Sequence, residues 1–394
     1  MTAFDVAVVG AGPAGASAAL ELASRGASVL LLERERLPRY KTCGGGLVGR
    51  ARRLLTIDVE DTVERECHVA EVRALDSDAG FTVSREGPLI SMTMRDRLDA
   101  RIVEAARDAG VRVKERCEVR TLRNARGAVR VETEAEIVKA GFAIAADGAT
   151  GRSARSAGWG DDRRLIPALE SEVVVDAATL ARFEGQARFD FDVVPHGYAW
   201  VFPKARHLSI GVLSARRGRV HLPAHLEAYM ERLGIGELEG ESRHGYVIPI
   251  APRAEGFVRG RILLAGDAAG FAEPLTGEGI SFAILSGRLA AAAVAVGQLE
   301  PEGVGGRYEA AVAEEILPEL RIGRRLARFA YGPRMLRAML IRRLGDRLGR
   351  GLADVFSGRA TYREQFRDPR DYLALRRPRR RGRPRTDRGY TGPG

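Results

Sequence analysis

A cysteine near the start of the chain is followed directly by three glycines. The stretch 40–47 reads YKTCGGGL. An ordinary thiol is protonated at neutral pH and can donate its proton, although it is a weak acid. Each glycine costs roughly 0.5–1 kcal/mol against alanine in a regular element, so three in succession indicate that backbone approaches a ligand closely. We therefore take Cys43 as a candidate catalytic residue and Gly44 and Gly45, with Gly46, as a candidate ligand wall; a plainly buried cysteine is the alternative.

A second glycine-rich segment has the spacing of a dinucleotide-binding turn. Residues 10–15 fit G-x-G-x-x-G between an apolar run of strand length and an alanine-rich, helical stretch. Such glycines permit a tight turn and let backbone approach a pyrophosphate at the helix N-terminus. Glu33, at the end of the next apolar run, is placed to accept the ribose hydroxyls. The pattern does not distinguish FAD from NAD. Its candidate cofactor residues are Gly10, Gly12, Ala14, Gly15, Glu33 and Arg34.

Two later segments resemble motifs of flavoproteins built like the aromatic hydroxylases. They are the Asp-Gly segment 143–158, AIAADGATGRSARSAG, and the Gly-Asp segment 260–284, GRILLAGDAAGFAEPLTGEGISFAI. The resemblance implies that Asp267 binds the ribityl hydroxyls of FAD, that the backbone of 274–280 passes the flavin ring, and that Arg95 lies along the cofactor. The residues so implied are Arg95, Asp147, Gly266, Asp267, Pro274, Gly277, Gly279 and Ile280. With FAD as the ligand, Gly44 to Gly46 form part of the flavin's wall, so Gly44 and Gly45 are candidate cofactor-binding residues, and Cys43 faces the pocket.

A row of aromatic residues completes the pattern. The segment 195–204, PHGYAWVFPK, places Tyr198, Trp200 and Phe202 on one face of a strand, because side chains alternate along it. Together with the Cys-Gly-Gly-Gly segment, this strand resembles the geranylgeranyl reductase family, which saturates isoprenoid double bonds. The resemblance covers residues 1 to about 300. It implies an aromatic wall for a lipid chain; plain core packing is the alternative.

The resemblance also implies a reaction. Reduced FAD would deliver hydride from N5 to an isoprenoid C=C bond, and a proton must reach the other carbon. Cys43 is then the candidate acid, or it positions the substrate. Tyr198 and Trp200 would hold the chain and stabilise developing positive charge; Phe202, Pro203 and Lys204 are candidate substrate contacts. The electron donor stays open among NAD(P)H, ferredoxin and a quinol.

The alternation of strand-like and helical segments predicts an α/β protein with three structured units. We expect a discontinuous Rossmann-type FAD-binding domain at 1–165 and 255–305 and an inserted antiparallel β-sheet substrate domain at 166–254. A C-terminal helical region should occupy 306–376, and a basic disordered tail 377–394. A chain of 394 residues with 45% apolar content suits such a division.

Positive charge is concentrated at the C-terminal end. The chain carries a formal net charge of +11, and eight of the nineteen residues in 376–394 are arginine. Together with the arginine-rich helices before it, this tail predicts contact with an anionic membrane surface, where the lipid substrate resides. Nucleic-acid binding through the RRGRPR stretch is the less favoured interpretation.

Several other functions are disfavoured. His221 and His225 form H-x-x-x-H with Pro223 between them and no adjacent glutamate, so we expect no metal site. Three cysteines without a C-x-x-C pair, and no leader or spanning apolar segment, favour a cytoplasmic protein, peripheral to the membrane at most. Two functional alternatives remain: an FAD monooxygenase, or more weakly a halogenase, of the same fold, and a non-enzymatic membrane-surface or nucleic-acid-binding protein.

Overall fold

The computed structural model describes residues 4–236, 238–296 and 300–366 of the chain. The strands in these ranges are β1 (Phe4–Val9), β2 (Val29–Leu32), β3 (Gly46–Val48), β4 (Val63–Cys67), β5 (Val69–Ala74), β6 (Ala79–Ser84), β7 (Ile90–Thr93), β8 (Arg112–Lys114), β9 (Val119–Ala125), β10 (Ala128–Thr133), β11 (Ile137–Ala145), β12 (Leu165–Val174), β13 (Gln186–Phe191), β14 (Gly197–Pro203), β15 (Leu208–Ser214), β16 (Gly240–Pro249), β17 (Val258–Arg259) and β18 (Ile262–Leu264). The helices are α1 (Pro13–Ser24), α2 (Gly49–Leu54), α3 (Arg95–Asp108), α4 (Ser153–Ser156), α5 (Ala177–Ala181), α6 (Leu222–Arg232), α7 (Ile280–Val296), α8 (Pro301–Glu315), α9 (Leu317–Ala330), α10 (Arg334–Phe356) and α11 (Tyr362–Phe366).

A parallel sheet carries the dinucleotide-binding turn. Its order is β17-β18-β11-β1-β2-β8, with parallel pairing from β18 to β8 and with β10 and β9 added antiparallel beside β11. The central strand β1 is buried on both faces from Val6 to Val9, and α1, which contacts it, packs against α7. The predicted strand, helix and second strand at the N-terminus are therefore confirmed, and so is the Rossmann-type α/β fold class.

A second, seven-stranded sheet stands beside the first. Its order is β16-β12-β15-β14-β13-β5-β6, and every neighbouring pair is antiparallel except β13 with β5. The antiparallel sheet expected within 166–254 is present, and β13, β14 and β15 are among its strands. The sheet nevertheless extends beyond the predicted unit 166–254, because 69–84 supplies β5 and β6. The domain boundaries stay a prediction, and those two strands belong with the substrate sheet.

A small sheet and the C-terminal helices complete the fold around the site. The order β3-β7-β4 brings the end of the glycine triplet beside Ile90–Thr93. The long helix α10 lies on β6, where Phe81 packs against Gly345 and Gly349. Helices α8 to α11 occupy the expected helical region as far as residue 366, and the basic tail 377–394 lies outside the described residues. In the described ranges, none of the helices combines the length and the apolar character needed to span a bilayer.

Candidate active site

A cavity of ≈ 510 Å³ opens between the two large sheets. It gathers predicted residues that lie far apart in the sequence, from the dinucleotide turn to the aromatic strand. Those of the predicted site residues that line it are Gly10, Gly12, Ala14, Glu33, Arg34, Cys43, Gly44, Gly45, Arg95, Asp147, Tyr198, Trp200, Phe202, Gly266, Asp267, Gly277, Gly279 and Ile280. Gly15, Pro203, Lys204 and Pro274 are not among the lining residues.

The turn before α1 leaves room for a phosphate. Gly10 has φ +95°, and a Cβ there would lie 2.5 Å from the Ala146 carbonyl oxygen. A Cβ on Gly15 would lie 1.9 Å from the Gly10 carbonyl oxygen, so this glycine serves the close packing of turn and helix rather than the ligand. At Gly12, in contrast, a Cβ would meet nothing closer than Arg95 Nη2 at 3.9 Å. The space beside Gly12, at a helix N-terminus without a side-chain cap, suits an anionic pyrophosphate.

The acid expected at the ribose position is held in place. Glu33 follows β2 and is 4% exposed. Its Oε2 accepts a hydrogen bond from the Ala11 N–H at 2.9 Å, and Arg39 lies 3.5 Å from the same oxygen. The neighbouring Arg34 is exposed at the cavity rim, 3.5 Å from Glu35. Hydrogen bonds therefore hold the Glu33 side chain in place, whereas the Arg34 side chain is solvated.

Buried charges surround the middle of the cavity. Arg95 makes two hydrogen bonds of 2.8 Å to Asp99, which neutralises it within α3. Burial raises the pKa of Asp147 and Asp267, and the charges of Lys41 and Arg95 oppose that rise at Asp267. Asp147 Oδ2 accepts from the Ser153 N–H at 2.9 Å, whereas its Oδ1 is buried without a hydrogen-bond partner among the described residues. A polar ligand with hydroxyl groups would satisfy such acceptors.

The loop after β18 brings more backbone to the cavity. Gly266 has φ +59° and Gly277 φ +70°, conformations that favour glycine. A Cβ on Gly266 would lie 3.1 Å from that of Ala14, so this loop packs directly on the start of α1. Gly279 and Ile280 line the cavity at the start of α7. Pro274 is buried and does not line it.

The three glycines after Cys43 pack against the aromatic strand. A Cβ on Gly44 would lie 2.9 Å from the Phe202 ring and 3.0 Å from Trp200 Nε1. Gly45 has φ +68°, and its Cβ would lie 1.9 Å from the Thr93 carbonyl oxygen. The two diagnostic motifs therefore form one structural unit. This contact was not predicted from the sequence, where close approach to a ligand alone explained the triplet.

A buried lysine fastens that unit together. Lys204 is 0% exposed, and its ammonium donates to the carbonyl oxygens of Gly44 at 2.7 Å and Thr93 at 2.9 Å. The substrate contact expected of Pro203 and Lys204 is corrected accordingly, because both lie outside the cavity lining and the ammonium is committed to backbone carbonyls. Lys204 thus fixes the position of the glycine triplet.

The aromatic row faces the cavity as predicted, and its members make different contacts. The Tyr198 hydroxyl donates to the Thr276 carbonyl, which connects β14 to the loop after β18. The Trp200 ring lies over Gly211, where a Cβ would be only 2.1 Å from it, and its Nε1 has no hydrogen-bond partner in the described ranges. Phe189 adds a fourth ring, 5.4 Å from Phe202 between centroids.

Cys43 lies half-buried in the cavity lining, directly before the glycine triplet. Its Sγ accepts from the Gly45 N–H at 3.5 Å, and its own N–H donates to Glu170 at 3.3 Å. Sequence reasoning missed four polar residues that also line this part of the cavity: Tyr40, Lys41, Glu170 and Tyr246. Lys41 lies 3.2 Å above the Tyr246 ring, and burial lowers its pKa to about 8. Strand β12 reads LIPALESEVV, and the two acids inside this mostly apolar strand were the available signal for Glu170.

The remaining sequence predictions concern metals. Among residues 4–236, 238–296 and 300–366 there is no group of three His, Cys, Asp or Glu side chains that could hold a metal ion. His221 instead caps α6, where its Nδ1 accepts from the Ala224 N–H at 3.2 Å.

Comparison with known proteins agrees with the cavity chemistry. A family model described as an FAD binding domain matches residues 3–295. Digeranylgeranylglycerophospholipid reductase 1 of Methanopyrus kandleri is 34% identical over 313 residues, which cover 73% of this chain and 79% of that protein. The chain belongs to the geranylgeranyl reductase family. Geranylgeranyl diphosphate reductase of Synechocystis is 31% identical over 310 residues, covering 73% and 74% of the two chains.

Solved structures share the fold. A geranylgeranyl bacteriochlorophyll reductase-like protein of Thermoplasma acidophilum has a TM-score of 0.72 and 23% identity, covering 94% of this chain and 95% of its own. A flavin-dependent brominase has a TM-score of 0.70 and 20% identity, covering 90% and 93%. As a member of the geranylgeranyl reductase family, the protein is an FAD-dependent oxidoreductase, and the alternative of a non-enzymatic surface-binding protein is wrong. The open space at Gly12, the position of Glu33, and Asp147 Oδ1, which has no partner in the part of the chain that the structure describes, fit FAD.

Proposed function

We propose that the protein saturates C=C bonds of an isoprenoid lipid with a geranylgeranyl-type chain. The observation that carries the proposal is the apolar extension of the cavity. A second cavity of ≈ 150 Å³ lies between the seven-stranded sheet and α10, and it shares Phe189, Tyr198, Thr276 and Phe356 with the first. Most of the remaining lining is apolar and comes from β5, β6, α9 and α10, with Arg337 as the charged member. This shape suits a long hydrocarbon chain that reaches inward to the site.

The residues of the chain contribute binding, orientation and electrostatics. Bound FAD, once reduced, supplies hydride. The rings of Trp200 and Phe202, which pack on Gly44, line one side of the substrate space. The indole face stabilises positive charge that develops at the substituted carbon. Tyr198 orients the loop 272–280 through its hydrogen bond to Thr276. Burial raises the pKa of Tyr198, so this hydroxyl stays neutral and keeps that bond.

Anaerobic single turnover tests the proposal. The purified holoenzyme is reduced with dithionite and mixed with geranylgeranyl diphosphate or a digeranylgeranyl glycerophospholipid, while flavin absorbance and product mass are followed. Reoxidation without oxygen, with a gain of two hydrogen atoms per double bond, supports the reductase. Reoxidation only after air is admitted, with a gain of one oxygen atom, supports the monooxygenase alternative instead. Replacing dithionite with NADPH, reduced ferredoxin or a quinol identifies the electron donor.

We also propose that the turn between α9 and α10 contacts an anionic membrane surface. Apolar side chains are exposed there, including Phe329 at 50% and Met335 at 87%, with Leu336 and Met339 beside them. Phe329 also lines the apolar cavity, so the exposed patch adjoins the proposed lipid path. Exposed arginines on the two helices, namely Arg324, Arg325, Arg328, Arg342 and Arg343, supply complementary charge for anionic headgroups.

Vesicle flotation tests this second proposal. The full-length protein should float with vesicles containing phosphatidylglycerol and remain unbound with phosphatidylcholine alone. Met335→Glu combined with Met339→Glu should lower the bound fraction at least threefold, because charge replaces inserted apolar surface. A matched control is Ile137→Glu, which alters an exposed apolar residue on a different sheet. Equal binding by the wild type and the double variant would contradict the proposed surface.

A further inference from the structure

An acidic residue that no motif contains lies beside Cys43 in the cavity. Glu170, in the middle of β12, is 1% exposed and lines the cavity together with Ala168, two positions earlier on the same face. Residues paired across an antiparallel sheet share a face, and Glu170 pairs with Gly211, which in turn pairs with Trp200. Because Gly211 has no side chain, Glu170 and the indole border the same space.

The two carboxyl oxygens of Glu170 differ in their hydrogen bonds. Its Oε1 accepts from the Tyr40 hydroxyl at 2.8 Å and from the Cys43 N–H at 3.3 Å. Its Oε2 is buried and has no hydrogen-bond partner among the described residues. A buried carboxylate oxygen without a donor is costly, whereas a protonated oxygen removes the charge. Since both donors occupy Oε1, the proton belongs on Oε2.

The surrounding charges favour the protonated acid. Burial raises the pKa of Glu170 to about 7, and repulsion from Glu172 adds to the rise, against the opposing effects of Tyr40, Lys204 and the Cys43 N–H. The cross-strand partner His244 lies opposite Glu170 and stacks on Tyr40, with 4.1 Å between the two rings. The titratable groups that face Glu170 from each packed element are Tyr40, Cys43, Glu172, Lys204 and His244.

We propose that Glu170, through Oε2, donates the proton that completes reduction of the alkene. The inference rests on the proposed function and deepens it. In the balanced step, the O–H bond of Glu170 breaks, the alkene π electrons form a C–H bond with that proton, and the hydride forms the second C–H bond. Glu170 is left as a carboxylate and regains its proton from water. Cys43 is then a positioning residue, because its N–H holds Oε1.

Single turnover of Glu170→Gln tests the donor. The glutamine keeps the size of the side chain and accepts the same hydrogen bonds, but its amide is not an acid. General acids contribute roughly 10²–10⁴-fold, so substrate-dependent reoxidation of the reduced holoenzyme should slow by about that factor. FAD content and the rate of reduction by dithionite should match the wild type. Glu172→Gln, which alters the next acid on the same face, should keep the rate at acidic pH within about threefold.

The pH profile distinguishes a donor from a merely structural residue. The reoxidation rate should be constant at low pH and fall as pH rises through about 7, because only the protonated acid donates. Tyr40→Phe removes a hydrogen bond that stabilises the carboxylate, so the fall should move to higher pH. Glu172→Gln removes a repelling charge and should move it to lower pH. Glu170→Gln should lack the fall altogether.

Infrared spectroscopy gives a readout that needs no turnover. The apoprotein should show a carboxylic acid C=O band at pH 5 that is lost by pH 9 and is missing in Glu170→Gln. If the wild type is active and Glu170→Gln is equally fast with the same pH profile, Glu170 is not the proton donor, while the proposed function stands. A wild type that reduces no alkene would overturn the proposed function, and the donor with it.

Discussion

The two ends of the cavity differ in where their residues come from. The dinucleotide end is built from backbone turns whose residues are close in sequence. The aromatic end is built from side chains that the fold brings together from distant positions. Gly10, Gly12 and Glu33 belong to one strand–helix–strand unit. Gly44 precedes the small sheet, Glu170 lies in the seven-stranded sheet, and Lys204 follows one of its strands. Lys204 donates to the Gly44 carbonyl, and the Cys43 N–H donates to Glu170. Local sequence therefore forms the dinucleotide-binding turn, whereas the aromatic end of the cavity depends on tertiary contacts. Four substitutions probe that difference.

Gly12→Leu should produce the largest effect, on flavin binding alone. The backbone at Gly12 has φ −77° and is extended, and no protein atom lies nearer than 3.9 Å to an added Cβ. The leucine therefore fits the apoprotein and fills the space beside the helix N-terminus. We expect FAD to bind about 1,000-fold more weakly, some 4 kcal/mol, in a titration of the apoprotein. Gly87→Leu, at an open position, is the control. Full retention of FAD would place the pyrophosphate elsewhere.

Lys204→Met should lower the free energy of unfolding by about 3 kcal/mol, because two buried carbonyl groups lose their donor. Urea unfolding of the apoprotein measures it. In Lys114→Met the lost ion pair with Glu136 is on the surface, so the change should stay within about 0.5 kcal/mol. Comparable losses in the two variants would mean that Lys204 does not fasten the glycine triplet to the aromatic strand.

Glu170→Gln should change how stability depends on pH. The folded-state pKa is raised from 4.5 to about 7, so between these values the folded wild type binds more protons than the unfolded chain, and its stability falls as pH rises. The wild type should lose about 2 kcal/mol relative to the variant between pH 5 and pH 8. Urea unfolding at both pH values measures the difference. Glu35→Gln, which alters an exposed acid, should show the same pH dependence of stability as the wild type. If Glu170→Gln also shows that dependence, Glu170 is ionised at both pH values.

Gly44→Ala should have the smallest effect on stability, about 1 kcal/mol, with a selective loss of substrate turnover. The new methyl group would lie 2.9 Å from the Phe202 ring and displace it into the substrate space. Lipid-dependent reoxidation should slow about tenfold, equivalent to 1.4 kcal/mol, while FAD affinity stays within threefold. Gly87→Ala is again the control. Weaker flavin binding with normal lipid turnover would mean that Gly44 borders the flavin and not the substrate.

The extent of prediction from sequence follows the same division. The strand, turn and helix at the N-terminus were predictable because apolar periodicity and glycine spacing are local signals. The pairing of Lys204 with Gly44, 160 positions apart, leaves no periodic trace, and neither does the contact of Tyr40 with Glu170 across 130 positions. Strands β5 and β6 escaped prediction as part of the substrate sheet because the pairing of β5 with β13, Val69 with Gln186, joins distant parts of the chain.

The parallel pairing of β13 with β5 has a consequence for chimeric enzymes. A graft that exchanges only 166–254 between relatives would pair the incoming β13 with the host's β5 along Gln186 to Phe191. Where the two strands do not match, the edge of β13 is poorly paired, and poorly paired edges recruit other chains. A chimera that exchanges the whole substrate sheet must therefore carry 69–84 together with 166–254. Because the two segments are separate in the chain, each of them needs its own pair of crossovers.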